Sequence, residues 1–177
     1  MRALVVYESL FGNTRKIAEG IADGLAEHLE VTLKEVSQAP APIDELVDLV
    51  VVGGPTHAFS LTRPSTRASA FQQGASEGDQ DYGLREWIAD LHRGPHSELV
   101  ASFDTRVDKV RRMPGSAARK ADRLVRHLGY ESAGRESFYV SDTSGPLLPG
   151  EPERARAWGR RLGQEMAERA VGRAPAR

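Results

Sequence analysis

Cysteine is absent from the 177-residue chain. This absence excludes a disulfide framework, thiolate catalysis, and zinc or iron–sulfur sites built on cysteine ligands. Histidine does not replace it, because the histidines are scattered and no two share a predicted face at ligand spacing. We therefore expect no metal site. The five histidines are His28, His57, His92, His96 and His127.

A dominant charge and a long apolar run are also missing. The 24 lysine and arginine residues are balanced by 25 aspartate and glutamate residues, so the formal net charge is −1. Nothing in this balance attracts the whole chain to nucleic acid or to anionic membranes. No run approaches the roughly 20 apolar residues of a membrane span, and Met1-Arg2 leads into a strand pattern rather than a signal peptide. We expect a cytoplasmic protein.

What the chain does contain is the composition of an ordinary globular domain. Hydrophobic residues make up 40 % of it and charged residues 28 %, close to the usual values. Domains average roughly 150 residues, so we expect a single domain over 1–171, followed by a frayed tail over 172–177.

Strand and helix patterns alternate along this domain. The continuous apolar runs 3–7 and 46–52 are typical of strands buried on both faces. Apolar residues at every fourth position from Ile17 to Leu29 predict a helix. Further strands are predicted over 31–36, 99–103 and 137–140, and further helices over 43–46, 64–71, 84–91, 117–128 and 151–170. This alternation predicts a three-layer α/β domain with a doubly wound, five-stranded parallel sheet.

Ligands of such sheets bind beyond the carboxyl ends of the strands. The loop after the first strand reads Ser9-Leu10-Phe11-Gly12-Asn13-Thr14, and its hydroxyls, its glycine and the helix behind it suit a phosphate. It lacks the lysine of nucleoside triphosphate loops and the three glycines of the dinucleotide fingerprint. A phosphomonoester is therefore the better ligand. The same residues would equally suit a turn that only caps the helix, so this loop alone does not distinguish a phosphate site from a helix cap.

A second loop, Gly53-Gly54-Pro55-Thr56-His57, follows the third strand. Together the two loops resemble the phosphate loop and the second flavin-binding loop of the flavodoxin family. The resemblance implies the strand order 2-1-3-4-5 and a non-covalently bound FMN. It also implies electron exchange with a redox partner protein or a small-molecule donor or acceptor. The cofactor-binding residues it implies are Ser9, Leu10, Phe11, Gly12, Asn13, Thr14, Pro55, Thr56, His57, Ala58, Phe59, Phe103, Asp104, Thr105 and Arg106.

The third loop departs from the family, which commonly has a stacking tyrosine there. Residues 103–109 read Phe-Asp-Thr-Arg-Val-Asp-Lys, without tyrosine. Phe59 or His57 would then cover one face of the flavin ring, and Phe103 or backbone the other. Phe103 also fits a second role, because the last apolar residue of a strand is more often a core residue.

The resemblance gives the polar residues of this third loop a role at the edge of the ring. Asp104 would accept a hydrogen bond from the flavin N3–H, and the backbone amides of Thr105 and Arg106 would meet the O2 side. Both roles follow from loop position.

Charge is a second departure, since electron-carrying flavodoxins are usually strongly acidic. Residues 106–126 carry eight basic and two acidic side chains. This run is either a solvated surface or a docking surface for an anionic donor, such as the phosphate of NADPH, or for an acidic redox partner. A less acidic rim also predicts a less negative reduction potential for bound FMN.

Three functions stay open at this point. The first is a flavodoxin-like electron carrier, and the second is an FMN-dependent NAD(P)H reductase of quinone-like acceptors. The altered third loop allows a third, a flavin-free interaction module with the same fold.

Overall fold

The structure is a computed structural model that describes residues 1–43 and 46–173. Its centre is one sheet in the order β2-β1-β3-β4-β5, and every pair of neighbouring strands is parallel. The α/β class, the five strands and their order are as the sequence and the family resemblance predict. The strands are β1 (Arg2–Tyr7), β2 (Glu30–Glu35), β3 (Leu49–Pro55), β4 (Leu99–Val107) and β5 (Glu131–Val140).

Helices cover both faces of the sheet. They are α1 (Asn13–Leu25), α2 (Pro64–Gln72), α3 (Leu84–Ala89), α4 (Ala117–Leu128) and α5 (Glu151–Arg173), with short 3₁₀ turns at Val36–Gln38 and Asp108–Val110. The predicted start of α4 is confirmed, because the Ser116 side chain accepts a hydrogen bond from the Arg119 amide. The predicted helix over 43–46 includes residues 44 and 45, and the predicted tail includes 174–177; these positions lie outside the described residues.

Two apolar layers hold the helices on the sheet. Successive side chains of a strand point to opposite faces, so Val5 and Val51 join the cluster under α1 and α5, whereas Val6 and Val52 join the cluster under α3 and α4. Both faces of the central strands are therefore buried, which is why their sequences read as continuous apolar runs.

The strands β4 and β5 are longer than their apolar patterns predict. Hydrophobicity indicates only 99–103 and 137–140, but β4 continues to Val107 and β5 already begins at Glu131. The added part of β4 contains polar residues that are buried because they bond across the fold: Asp104 accepts from the Ala118 amide, and Thr105 bonds Thr14. A hydrophobicity pattern does not register such partners.

The contact between α1 and α5 depends on glycine. A Cβ atom at Gly24 would overlap the backbone of Arg156, and one at Gly159 would overlap the backbone of Ile21. The two helices therefore pack with their backbones in direct contact. Among the described helices, none is both long enough and apolar enough to cross a membrane.

Phe103 is one of the largest side chains of the core. It is 0 % exposed, its ring lies edge-to-face on Phe138 at a centroid distance of 6.4 Å, and it fills the space above Gly53. This position is on the α1 and α5 side of the sheet.

We therefore expect Phe103→Ala to lower the free energy of unfolding by about 3–5 kcal/mol, because it removes a buried ring and leaves a cavity. Phe59→Ala is the matched control; Phe59 is 42 % exposed, and its change should stay within about 0.5 kcal/mol. Urea denaturation measures both. Equal effects of the two substitutions would contradict the core position of Phe103.

Candidate functional site

Loops from four strands meet at the carboxyl end of the sheet around a cavity of about 50 Å³. The cavity is lined by Leu10, Phe11, Asn13, Thr14, Pro55, Thr56, His57, Thr105, Arg106, Val107, Val140 and Thr143. Two larger depressions adjoin it. One, of about 350 Å³, shares Thr56, His57 and Thr143 with the cavity, and the other, of about 520 Å³, shares Arg106.

The first loop leads directly into α1. Gly12 takes φ +82°, a conformation that favours glycine, and its amide donates to Ser9 Oγ at 3.1 Å. No side chain caps α1, and its first turn contains no acidic residue. The first amides of a helix have no partner within the helix, so the start of α1 keeps backbone donors at the cavity for an anion.

A hydroxyl pair lies beside these amides. Thr14 Oγ1 and Thr105 Oγ1 are 2.7 Å apart, and both residues are buried. One hydroxyl donates within this pair, so the other retains a proton for a third group. The pair also fixes the start of α1 to the end of β4.

The second loop is a tight turn in an unusual conformation. His57 and Ser60 exchange two backbone hydrogen bonds of 3.0 Å, while Ala58 and Phe59 between them have φ values of 47° and 60°. Each non-glycine residue held in this region costs about 1–3 kcal/mol, and such strain is frequent at functional sites. The turn places His57 at the cavity and leaves Phe59 exposed.

The surroundings of His57 favour its neutral imidazole. Burial lowers the pKa of His57 below its ordinary value of 6.5, although the backbone of Thr66 opposes this shift. A neutral imidazole donates or accepts a hydrogen bond but adds no positive charge.

Arg106 supplies positive charge at the cavity. The residue is 7 % exposed, and its Nη2 donates to the carbonyl oxygens of Val110 and Met113 at 2.8 and 3.2 Å. Its Nε is buried without a hydrogen-bond partner, and within residues 1–43 and 46–173 no carboxylate forms an ion pair with it. A nearly buried cation without a counter-ion is costly, so the site is complementary to an anionic ligand.

A buried polar network supports the second loop from behind. Thr62 donates to Glu8 Oε1 at 2.6 Å, and the Leu84 amide donates to Glu8 Oε2 at 2.8 Å. Arg67 is fully buried, donates to Thr62 at 2.9 Å and pairs with Glu86 at 3.0 Å. The segment 57–83 is therefore tied to the end of β1.

Ten of the predicted site residues border these depressions. Leu10, Phe11, Asn13, Thr14, Pro55, Thr56, His57, Thr105 and Arg106 line the cavity, and Ala58 lines the depression of about 350 Å³. Ser9 and Gly12 shape the first loop from behind through their hydrogen bond. Phe59 borders none of the three hollows at this edge.

Phe103 has the core role that its place at the end of the apolar run predicts, whereas Asp104 lies away from the predicted edge of the ring. Phe103 belongs to the core beneath the sheet, and Asp104 is fully buried with Oδ2 accepting the Ala118 amide at 2.8 Å. Neither residue lines the cavity, because β4 continues past them and reaches the cavity only at Thr105–Val107.

Three lining residues were not anticipated. Val107 ends the part of β4 that lies beyond its apolar pattern. Val140 is the last residue of β5, as predicted, and Thr143 lies in the loop after β5. The polar run Ser141–Gly145 was a usable signal for this loop, because it follows a strand at the ligand-binding edge. The loop also contacts the first one: Asn13 donates to the Ser144 carbonyl at 3.0 Å.

Several solved structures of flavodoxins have the same architecture. A flavodoxin of Streptococcus pneumonia aligns with a TM-score of 0.63 and 17 % identity over 93 % of this chain and 99 % of its own. A flavodoxin from the domain Archaea aligns with a TM-score of 0.61 and 17 % identity, over 94 % of this chain and 99 % of its own. Flavodoxin 2 of Bacillus cereus aligns with a TM-score of 0.61 and 18 % identity, over 93 % of this chain and 99 % of its own. The chain has the flavodoxin-like fold.

At these identities the likeness is one of fold, and the site must be judged on its own residues. No protein-family model matches the sequence, and no curated protein matches it. Within the described part of this flavodoxin-like domain, no cluster of histidine and carboxylate side chains is arranged to hold a metal ion.

Glu8 gives the supporting network a pH dependence. Burial raises the pKa of Glu8 above 4.5, and its bonds with Thr62 and Leu84 only partly oppose this. The folded state therefore keeps the proton over a range in which the unfolded chain has lost it. The resulting stability is present below pH 4.5 and is lost as the pH rises through the folded-state pKa.

We expect the wild type to lose stability relative to Glu8→Gln as the pH rises from below 4.5 towards neutrality, by about 1.4 kcal/mol per unit of pKa difference. Thermal or urea unfolding across this range measures the difference. Glu19→Gln, at an exposed carboxylate on α1, should leave the pH profile of the wild type unchanged. A constant difference between wild type and Glu8→Gln would contradict the burial of this carboxyl.

Proposed function

We propose that this chain binds FMN non-covalently and serves in the cytoplasm as a redox protein that carries electrons. One observation carries the proposal: the uncapped start of α1 and the unpaired charge of Arg106 line the same cavity. The first amides of α1 and the Nε of Arg106 are donors without a hydrogen-bond partner among the described residues, and both lie where ligands of doubly wound sheets bind. A phosphorylated cofactor would satisfy both.

The residues present fit such a cofactor. Asn13, Thr14 and the hydroxyl of Thr105 would hold the phosphate, His57 would border the ring, and Arg106 would supply positive charge near it. When bound, FMN supplies one- and two-electron transfer. The protein contributes binding, exclusion of water and a fixed cation.

Space favours a cofactor that extends beyond the central cavity. Ligand sites usually enclose about 300–1,000 Å³, whereas the cavity encloses about 50 Å³. That is room for a phosphate-sized group, and the ring would occupy an adjoining depression. The depression of about 350 Å³, which shares Thr56 and His57 with the cavity, is continuous with the second loop.

Thr14→Val tests the phosphate contact. The substitution removes a hydroxyl at nearly constant volume, so FMN should bind more weakly by about 1–3 kcal/mol, while riboflavin, which lacks the phosphate, should bind unchanged. Quenching of flavin fluorescence measures both affinities. Thr32→Val, at an exposed threonine of the edge strand β2, is the matched control and should alter neither. Failure of FMN to bind the wild type would reject the proposal and favour the flavin-free module.

Arg106 should also set the reduction potential. A fixed cation favours the added negative charge of the reduced flavin, and the loss of one charged hydrogen bond is worth about 1.5–3 kcal/mol. For a two-electron couple this corresponds to about 30–65 mV. We therefore expect Arg106→Gln to lower the potential of bound FMN by this amount in a spectroelectrochemical titration. Lys109→Gln, an exposed cation of the same loop, should change it far less; equal shifts would contradict the role of Arg106.

The cation also favours a second candidate, an NAD(P)H reductase of quinone-like acceptors, because a site that stabilises negative charge favours acceptance of hydride. Stopped-flow mixing with NADPH separates the two functions. Rapid bleaching of the flavin absorbance supports the reductase, and no reduction within seconds supports the carrier.

A further inference from the structure

A second, larger depression lies beside the cavity. It encloses about 520 Å³, within the usual range for ligand sites, and lies between the loop 111–116, the start of α4 and the strand β5. We call it the arginine groove, after the five arginines in its lining: Arg106, Arg111, Arg112, Arg119 and Arg135.

The arginines come from separate parts of the fold. β4 contributes Arg106, the following loop Arg111 and Arg112, α4 Arg119, and β5 Arg135. Only folding brings these charges to one concave surface, where like charges repel one another. An anion in the groove would convert this repulsion into attraction.

Carboxylates neutralise part of this charge. Asp108 pairs with Arg111 and Asp122 with Arg135, at 3.3 and 3.4 Å. Glu136 lines the groove, and its closest described cation is that of Arg154 at 3.8 Å.

Three guanidinium groups remain without such a pair. In the described residues no ion pair forms with Arg106, Arg112 or Arg119, and Arg106 is more than nine-tenths buried with Nε unpartnered. The buried Asp104, two residues earlier on β4, is hydrogen-bonded to the Ala118 amide instead. The groove therefore has an excess of positive charge with one buried member.

The start of α4 does not add to this site. Its first amides already donate to the side chains of Thr56, Asp104 and Ser116, at 2.8, 2.8 and 3.2 Å. Recognition in the groove therefore depends on guanidinium groups, which bind phosphate oxygens in bidentate fashion.

We propose that the arginine groove binds a small molecule that carries at least two phosphate groups, such as a nucleotide. Five arginines line the groove, and three of them form no ion pair among the described residues, so the groove suits a ligand with several anionic groups. The concave shape with a buried arginine suits a small ligand better than the flat surface of an acidic protein. Because Arg106 also lines the cavity, this ligand would lie beside the FMN of the proposed function.

Calorimetric titration of the full chain tests the groove with two probes, adenosine 2′,5′-bisphosphate and inorganic pyrophosphate. We expect saturable binding at one site that weakens with salt. Arg112→Gln and Arg119→Gln should each raise the dissociation constant about 10-fold. Arg123→Gln is the matched control, because Arg123 is exposed on α4 but does not line the groove. This substitution should change the dissociation constant of the probe by less than about 2-fold.

The two probes separate the sources of the phosphate. Tighter binding of the adenosine compound identifies a nucleotide, and equal binding identifies free phosphates; both support the proposal. Absence of saturable binding of both probes overturns it, as does an equal loss in Arg123→Gln. Binding of polyglutamate alone also overturns it, in favour of an acidic protein partner.

FMN affinity, measured in the same variants, keeps this proposal distinct from the proposed function. Arg112 and Arg119 lie outside the cofactor cavity, so their substitution should leave FMN binding unchanged. If FMN fails to bind but the probes bind, the proposed function fails and the groove stands. If FMN binds and the probes do not, the proposed function stands and the proposal for the groove fails.

Discussion

The parallel alignment of β1, β3 and β4 is the constraint on which the site depends. In this register Val6 lies beside Val52, and Val52 beside Ser102. These three strands therefore end at the same edge of the sheet, and the loops that follow them meet there. Residues far apart in sequence, such as Thr14 and Thr105, come within hydrogen-bonding distance because of this alignment. The cavity is a consequence of the sheet.

Charge at this edge is organised differently from charge over the whole chain. The net charge of −1 conceals a local excess of arginine around Arg106. A buried cation without a counter-ion lowers stability unless a ligand compensates for it. The same position that costs stability in the free protein would therefore favour anionic ligands and a reduced, more negative flavin.

The buried network of Glu8, Thr62 and Arg67 gives the second loop its rigidity. It connects the end of β1 to the segment before α2 and, through the Leu84 amide, to the start of α3. A turn with two non-glycine residues at positive φ persists only where its surroundings hold it in place. His57 is thus positioned by residues that do not themselves line the cavity.

The sequence alone determined the alternation of strands and helices, the first two loops and the ends of α4, because apolar periodicity, caps and glycines act over a few neighbouring residues. It indicated a core position for Phe103, but it did not determine that Asp104 holds the start of α4 or that Arg106 has no ion pair among the described residues. These properties depend on partners from distant segments, which a local pattern does not contain. Tertiary structure decided them, because burial and charge pairing are set by the neighbours that folding brings together.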